Sequence, residues 1–141
     1  MNKLVFDTET TGLDYKQHEI IQFAAVRLYL KESGDINIID KLDVKASPKD
    51  IGLASPYALK VNGYTEDGWC GSLPIDNHLP LIENFISSAD FLLGQNLIFD
   101  LRFLNRAFGN ANKKIKFSNN PLDGQSRLKQ IINESIDDTI K

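Results

Sequence analysis

The sequence predicts an α/β fold: a mixed sheet that opens with three antiparallel strands and continues with alternating helix and strand. Three observations carry this. Lys3–Thr8, the apolar run from Glu19 to Leu30 and the β-branched stretch Ile36–Val44 each have strand character. Ser33-Gly34-Asp35 joins the second and third as a short turn, which makes a meander of the three. Beyond residue 55 the spacing becomes helical and is interrupted once, by the short apolar strand Phe91-Leu92-Leu93.

Along Lys3–Thr8 successive side chains alternate between faces, so Leu4, Phe6 and Thr8 share one face. Asp7 and Glu9 take the other, roughly 6–7 Å apart from the rise per strand residue. Thr10-Thr11-Gly12 makes the turn out of the strand. In the second run Ile20, Ile21, Phe23, Ala24, Ala25, Val26, Leu28 and Leu30 are nearly continuous. That suits a strand covered on both faces, although periodicity alone also admits a buried helix. Ser55-Pro56 starts a short helix through Val61, with proline at a favoured first-turn position and Gly63 just past the end. Residues 67–75 read as a loop. Asp76 or Asn77 is placed to cap a helix through Ser87, whose apolar stripe is Leu79, Ile82, Phe85 and Ile86.

Gly94 ends the fourth strand, and Asn96 is a good N-cap for a last helix running to about Phe108 and closed by Gly109. Leu97, Leu101, Leu104 and Phe108 form its stripe, widened by Phe99 and Phe103. Asp100 falls in the first turn, where an acid gains from the helix dipole. Its neighbours one turn on, Phe103 and Leu104, are apolar, so the carboxylate wants a cation or a hydrogen-bond donor.

A chain of 141 residues is long enough for one domain with a substantial core, and 1–141 is read as a single domain. No stretch approaches the apolar length of a membrane span, and the N-terminus lacks a signal-peptide pattern. Cys70 is the only cysteine, which excludes an intrachain disulfide and agrees with a reducing, cytoplasmic setting. Beside Trp69 it reads as a packing residue rather than a nucleophile. Charge is uneven: residues 1–100 carry 8 Lys/Arg against 15 Asp/Glu. Residues 101–130 carry Arg102, Arg106, Lys113, Lys114, Lys116, Arg127 and Lys129 against Asp123 alone. Such a stretch can hold a phosphate backbone with salt-sensitive affinity, or form an ordinary solvated face.

The chemistry concentrates in Phe6-Asp7-Thr8-Glu9-Thr10-Thr11-Gly12-Leu13. Two carboxylates on one strand face offer the hard oxygens that Mg²⁺ and Mn²⁺ favour; taken alone, they also suit a turn and cap at a strand end. This segment resembles the first motif of the DEDD (DnaQ-like) 3′–5′ exonucleases, the group that includes the proofreading subunit of bacterial DNA polymerase. Gly94-Gln95-Asn96-Leu97-Ile98-Phe99-Asp100-Leu101-Arg102-Phe103-Leu104 resembles the second motif. Between them Ala58–Glu66 resembles the family's connecting helix and turn.

The resemblance implies a ribonuclease H-like fold and a metal-dependent exonuclease. Asp7, Glu9 and Asp100 would be the metal ligands and catalytic acids. Two ions about 3.5–4 Å apart can grip the attacking and leaving oxygens of a phosphodiester. In the family's pattern Asp7 bridges both ions, Glu9 and Asp100 each complete one side, and nucleoside 5′-monophosphates leave a 3′ end. Thr10 and the backbone of Thr11, Gly12 and Leu13 resemble the turn that receives the terminal sugar, with Leu13 against the base. Asn96 and Phe99 match the polar and aromatic positions flanking the second-motif acid; Asn96 also reads as a plain cap and Phe99 as core. Gln95 stands where many relatives have His. The implied partners are single-stranded 3′ ends of DNA or RNA, and a polymerase or a second copy of the chain is a further candidate.

One part of the family's pattern is missing. A fourth acid and a general base ordinarily come from a late helix carrying His-x4-Asp or Tyr-x3-Asp, and neither occurs in these 141 residues. His18 and His78 precede the second motif and read as surface residues. Ile136-Asp137-Asp138-Thr139-Ile140 resembles the segment that ordinarily leads into the missing helix. The expectation is a C-terminally incomplete domain with impaired hydrolysis. Three explanations stand: a fragment of an active exonuclease, a divergent short member, or an unusual fourth carboxylate from Asp137 or Asp138. The rival function is a catalytically inactive nucleic-acid-binding or protein-interaction module.

Overall fold

The computed structural model describes residues 2–110. Its elements are β1 (Asn2–Thr10), β2 (Ile20–Leu30), β3 (Ile36–Lys45), a 3₁₀ turn (Ile51–Leu53), α1 (Pro56–Val61), α2 (Ile75–Ser87), β4 (Phe91–Leu93) and α3 (Leu97–Asn110). The strands form one sheet in the order β3-β2-β1-β4. β1, β2 and β3 are antiparallel neighbours, and β4 runs parallel to β1. The basic residues Lys113–Lys129 and the acids Asp137 and Asp138 lie outside the described residues.

β2 is a strand, and its place in the sheet explains its composition. It pairs with β1 on one side and β3 on the other, so its backbone is satisfied along its length. Ile21 and Phe23 are fully buried and Ile20, Ala25 and Leu28 nearly so. One sheet face carries Leu4 and Phe6 of β1 with Phe23 and Ala25 of β2, and the Phe6 and Phe23 rings stack with centroids 5.7 Å apart. α2 covers this face through Ile75, Leu79, Ile82, Phe85 and Ile86, and α3 through Leu97, Phe103, Leu104, Ala107 and Phe108. Apolar burial of this kind, at roughly 25 cal/mol per Å², is the main force holding the helices on the sheet.

The boundaries depart from expectation in instructive places. β1 continues through Thr10, with a register shift between Glu9 and Thr10 that leaves Ile21 as an extra residue on β2. The Ile21 carbonyl is taken up by the Ala46 N–H at 2.9 Å and the Trp69 indole N–H at 2.8 Å. α2 starts at Ile75, not after a cap at Asp76 or Asn77, and its N-cap position is Pro74 without a side-chain cap. Tertiary structure decides this: Pro74 is bridged to Ser47, and Ile75 is already buried in the core. Asp76 instead meets Lys49 Nζ at 2.6 Å on the surface, a pair worth at most about 1 kcal/mol. α3 runs through Gly109 to Asn110, so Gly109 does not close it. Cys70 is exposed, and the packing expected of it belongs to Trp69, over which Lys45 Nζ sits 4.3 Å from the ring centroid.

Among the described residues no helix is long and apolar enough to cross a membrane.

Candidate active site

Strand alternation puts Leu4, Phe6, Thr8 and Thr10 on the buried side of β1, while Asp7 is exposed and Glu9 half-buried on the other side. β4 brings the second motif to β1. Its parallel ladder runs Lys3–Phe91, Leu4–Leu92 and Val5–Leu93, so Gly94 arrives beside Phe6. A Cβ at Gly94 would stand 3.1 Å from the Phe6 carbonyl oxygen and 3.7 Å from Asp100 Oδ2. Glycine is what allows the chain this close approach at the mouth of the site. Asn96 follows, exposed, with its carbonyl accepting the Asp100 N–H at 3.1 Å as α3 begins.

Asp100 occupies a core position. The stripe of α3 that faces the sheet is Leu97, Asp100, Phe103, Leu104, Ala107 and Phe108, rotated from the expected one so that Leu101 is only partly buried. Asp100 is 2% exposed. Thr8 Oγ1 donates to its Oδ1 at 2.6 Å, and Oδ2 has no hydrogen-bond partner among the described residues. Burial pushes the Asp100 carboxyl up to about 6; the Thr8 hydroxyl opposes this, and the charges of Asp7 and, more weakly, Glu9 add to it. Asp7 is raised by desolvation, partly offset by the Thr8 backbone N–H. Glu9 is raised by desolvation and then by Asp7. Glu9 and Asp100 therefore sense the Asp7 charge, Asp100 also senses Glu9, and all three are harder to ionise than a free carboxyl.

This donor set fits a divalent cation in its chemistry: hard oxygens, mutual repulsion that a cation relieves, and one buried oxygen without a donor. As they stand, no three His, Cys, Asp or Glu side chains among the described residues converge closely enough to hold a metal ion.

The turn after β1 is held from several sides. Thr10 Oγ1 donates to the Gly12 carbonyl at 2.6 Å, and Thr10 O accepts from Asn62 Nδ2 at 2.7 Å. Thr11 pairs with Glu19 through its N–H (2.8 Å) and its hydroxyl oxygen (2.9 Å), and its carbonyl accepts the Ser55 N–H at 2.7 Å. Glu19 in turn accepts the N–H groups of Lys49 and Asp50. The His18 ring covers Gly12 so closely that a Cβ there would fall 2.4 Å from it, and His18 Nδ1 accepts the Asp14 N–H. Thr10 and Thr11 are thus buried, with both hydroxyls bonded within the turn, whereas Leu13 projects 85% exposed. Phe99 is half-buried against Phe103, ring centroids 4.8 Å apart. His78 sits in the first turn of α2 near the Leu73 carbonyl, away from the acids.

Sequence reasoning assigned no role to Thr8, Asn62 or Glu19. Thr8 carried a signal: a polar side chain on the apolar face of a strand needs a partner. Asn62 and Glu19 carried none, because their partners lie 52 and about 30 residues away in the chain.

The family model described as Exonuclease (RNase_T) matches residues 4–135. The PolC-type DNA polymerase III of Listeria welshimeri is 36% identical over 104 residues, 74% of this chain and 7% of that protein. The PolC-type polymerase of Streptococcus agalactiae is 31% identical over 109 residues, 77% of this chain and again 7% of the relative. The chain thus spans a small fraction of these relatives. Among solved structures, Escherichia coli exonuclease I in complex with a dT13 oligonucleotide superposes with a TM-score of 0.69 at 20% identity, covering 82% of this chain and 25% of that one. Exonuclease I of Methylocaldum szegediense gives 0.65 at 22% identity, covering 76% and 23%. The fold is accordingly the ribonuclease H-like one that the two motifs implied. With both motifs meeting at the β1–α3 junction and the family pattern running through nearly the whole sequence, the chain belongs to the DEDD (DnaQ-like) exonuclease family.

Proposed function

We propose that this chain is a divalent-metal-dependent 3′–5′ exonuclease that hydrolyses phosphodiester bonds at single-stranded nucleic-acid 3′ ends and releases nucleoside 5′-monophosphates. The observation that carries the reading is Asp100, an acid set into the apolar stripe of α3 with one oxygen unpartnered among the described residues. A helix packed for stability alone would place leucine there. The family uses divalent metal ions, and in this reading Asp7, Glu9 and Asp100 hold Mg²⁺ or Mn²⁺, two ions in the complete site. Bound there, the ions would lower the pKa of an attacking water and stabilise the departing 3′-oxygen.

The chain's own groups divide the remaining work. Asp7 and Glu9 present their carboxylates on the open face of β1, and Asp100 would complete the set from the first turn of α3. The turn Thr10–Leu13 receives the terminal nucleotide, its backbone held rigid by Thr10, Thr11, Glu19 and Asn62. Leu13, being exposed, is free to pack against the terminal base. Asn96 and Phe99 flank Asp100 on the substrate side. Exonuclease I has been solved with dT13, which supports a single strand as the occupant. The PolC-type relatives support a polymerase as the larger setting.

Because no His-x4-Asp or Tyr-x3-Asp occurs in these 141 residues, the polypeptide by itself lacks the family's usual base, help worth about 10²–10⁴-fold. Slow turnover is expected of it. A second reading, a binding module without hydrolysis, is favoured by one observation: among the described residues no three ligating side chains converge. Digestion of a 3′-labelled single strand separates the two. The exonuclease reading expects labelled mononucleotide in Mn²⁺ or Mg²⁺, abolished by EDTA and by Asp7→Ala. Strand binding without nucleotide release under either metal is the outcome that leaves only the module.

A further inference from the structure

Thr8 lies between Asp7 and Glu9 in sequence but points the opposite way, into the core, where it is 6% exposed. Valine would serve equally well at a buried strand position as far as shape and β-propensity go. A hydroxyl there costs stability unless it finds a partner. It finds one 92 residues away: Thr8 Oγ1 donates to Asp100 Oδ1 at 2.6 Å. Asp100 has two oxygens and several acceptor sites, yet only Oδ1 is used; Oδ2 stays buried and unpartnered among the described residues. Gly94 keeps the space beside Oδ2 clear of a side chain, since a Cβ at that position would stand 3.7 Å from it.

We propose that Thr8 is a positioning residue for the metal site: by holding Asp100 Oδ1 it fixes the carboxylate rotamer and leaves Oδ2 as the oxygen offered to the cation. The inference rests on the metal-site reading above and goes beyond it by assigning a role to the residue between the two first-motif acids. Threonine's hydroxyl is donated to a carboxylate rather than to the backbone, so the bond ties β1 to the first turn of α3 as well as orienting the ligand. Groups that orient a ligand in this way affect metal affinity about 10–100-fold when removed.

The test measures Mn²⁺ affinity of the 141-residue chain by electron paramagnetic resonance of free Mn²⁺, alongside urea unfolding. The isosteric change Thr8→Val removes the hydroxyl, and Thr8→Ser restores it without the methyl group. Expected is an affinity about 10-fold weaker in Thr8→Val and within about two-fold of the parent in Thr8→Ser. A merely structural role would lower unfolding stability in both and leave Mn²⁺ affinity unchanged. Parent-like or tighter Mn²⁺ binding by folded Thr8→Val overturns the proposal and leaves the metal site standing. A parent chain that binds no Mn²⁺ overturns the metal-site reading and the proposal together. Should Thr8→Val fail to fold, Thr8→Ala against Thr8→Ser makes the same comparison.

Discussion

At the scale of single residues, Asp100 sets the pH behaviour. Its carboxyl is raised to about 6 in the folded chain, above its value in an unfolded one. The folded state therefore binds this proton more tightly than the unfolded state does. The resulting contribution is fully present at pH below about 4 and is lost as pH rises through about 6. In EDTA, Asp100→Asn should raise unfolding stability at pH 8 by about 1–3 kcal/mol and flatten the profile between pH 4 and 7. Urea unfolding across that range checks it, and an unchanged profile would show that the buried carboxylate is not the source. Gly12 gives a steric prediction. A Cβ there meets the His18 ring at 2.4 Å, so Gly12→Ala should destabilise by about 1–3 kcal/mol, much of it recovered in the Gly12→Ala, His18→Ala double variant. Leu13 is the opposite case: exposed as it is, Leu13→Ser should leave stability within about 0.5 kcal/mol while raising KM for a single strand.

At the scale of elements, α1 and the β4–α3 corner matter most. α1 buries no residue, so it holds its place through ends rather than packing. Ser55 caps it, accepting the Ala58 N–H, while the Ser55 N–H and the Asn62 side chain tie it to the turn after β1. The corner after β4 needs Gly94, and Gly94→Ala should push β4 from β1 and lower both stability and Mn²⁺ affinity; thermal unfolding with and without Mn²⁺ reads both effects. What the sequence made legible follows from the same elements. β1, the meander, the stripe of α2 and the start of α3 were readable because alternation and helical spacing report burial directly. The start of α2 was not, because Pro74 is fixed by a bridge to Ser47 and not by a local cap. The face of α3 was misjudged for a similar reason. Counting apolar residues selects Leu101, whereas the fold turns Asp100 inward. Asp7, Glu9 and Asp100 were picked out by motif; the Thr8–Asp100 bond was visible only as a polar residue on an apolar face.

At the scale of the whole molecule, the sheet divides the labour. One face, bearing Leu4, Phe6, Phe23 and Ala25, takes α2 and α3 and supplies the core. The other face carries Asp7 and Glu9 beside half-buried Val5, Ala24 and Val26, and so keeps these two acids in reach of solvent. Asp100 lies on the core side, bonded to Thr8 near the end of β1. Burial raises all three acids, and Asp7 adds to the shifts of Glu9 and Asp100, so a cation bound there would relieve a cost of folding and couple the two equilibria. Saturation at 100 times the dissociation constant would stabilise the fold by about 2.7 kcal/mol. Whether Asp7, Glu9 and Asp100 together bind divalent metal is read by anomalous scattering from crystals grown with Mn²⁺. Expected is at least one manganese peak ligated by these carboxylates, lost in Asp7→Ala crystals. A fully occupied map of the protein with no peak among the three acids would contradict it.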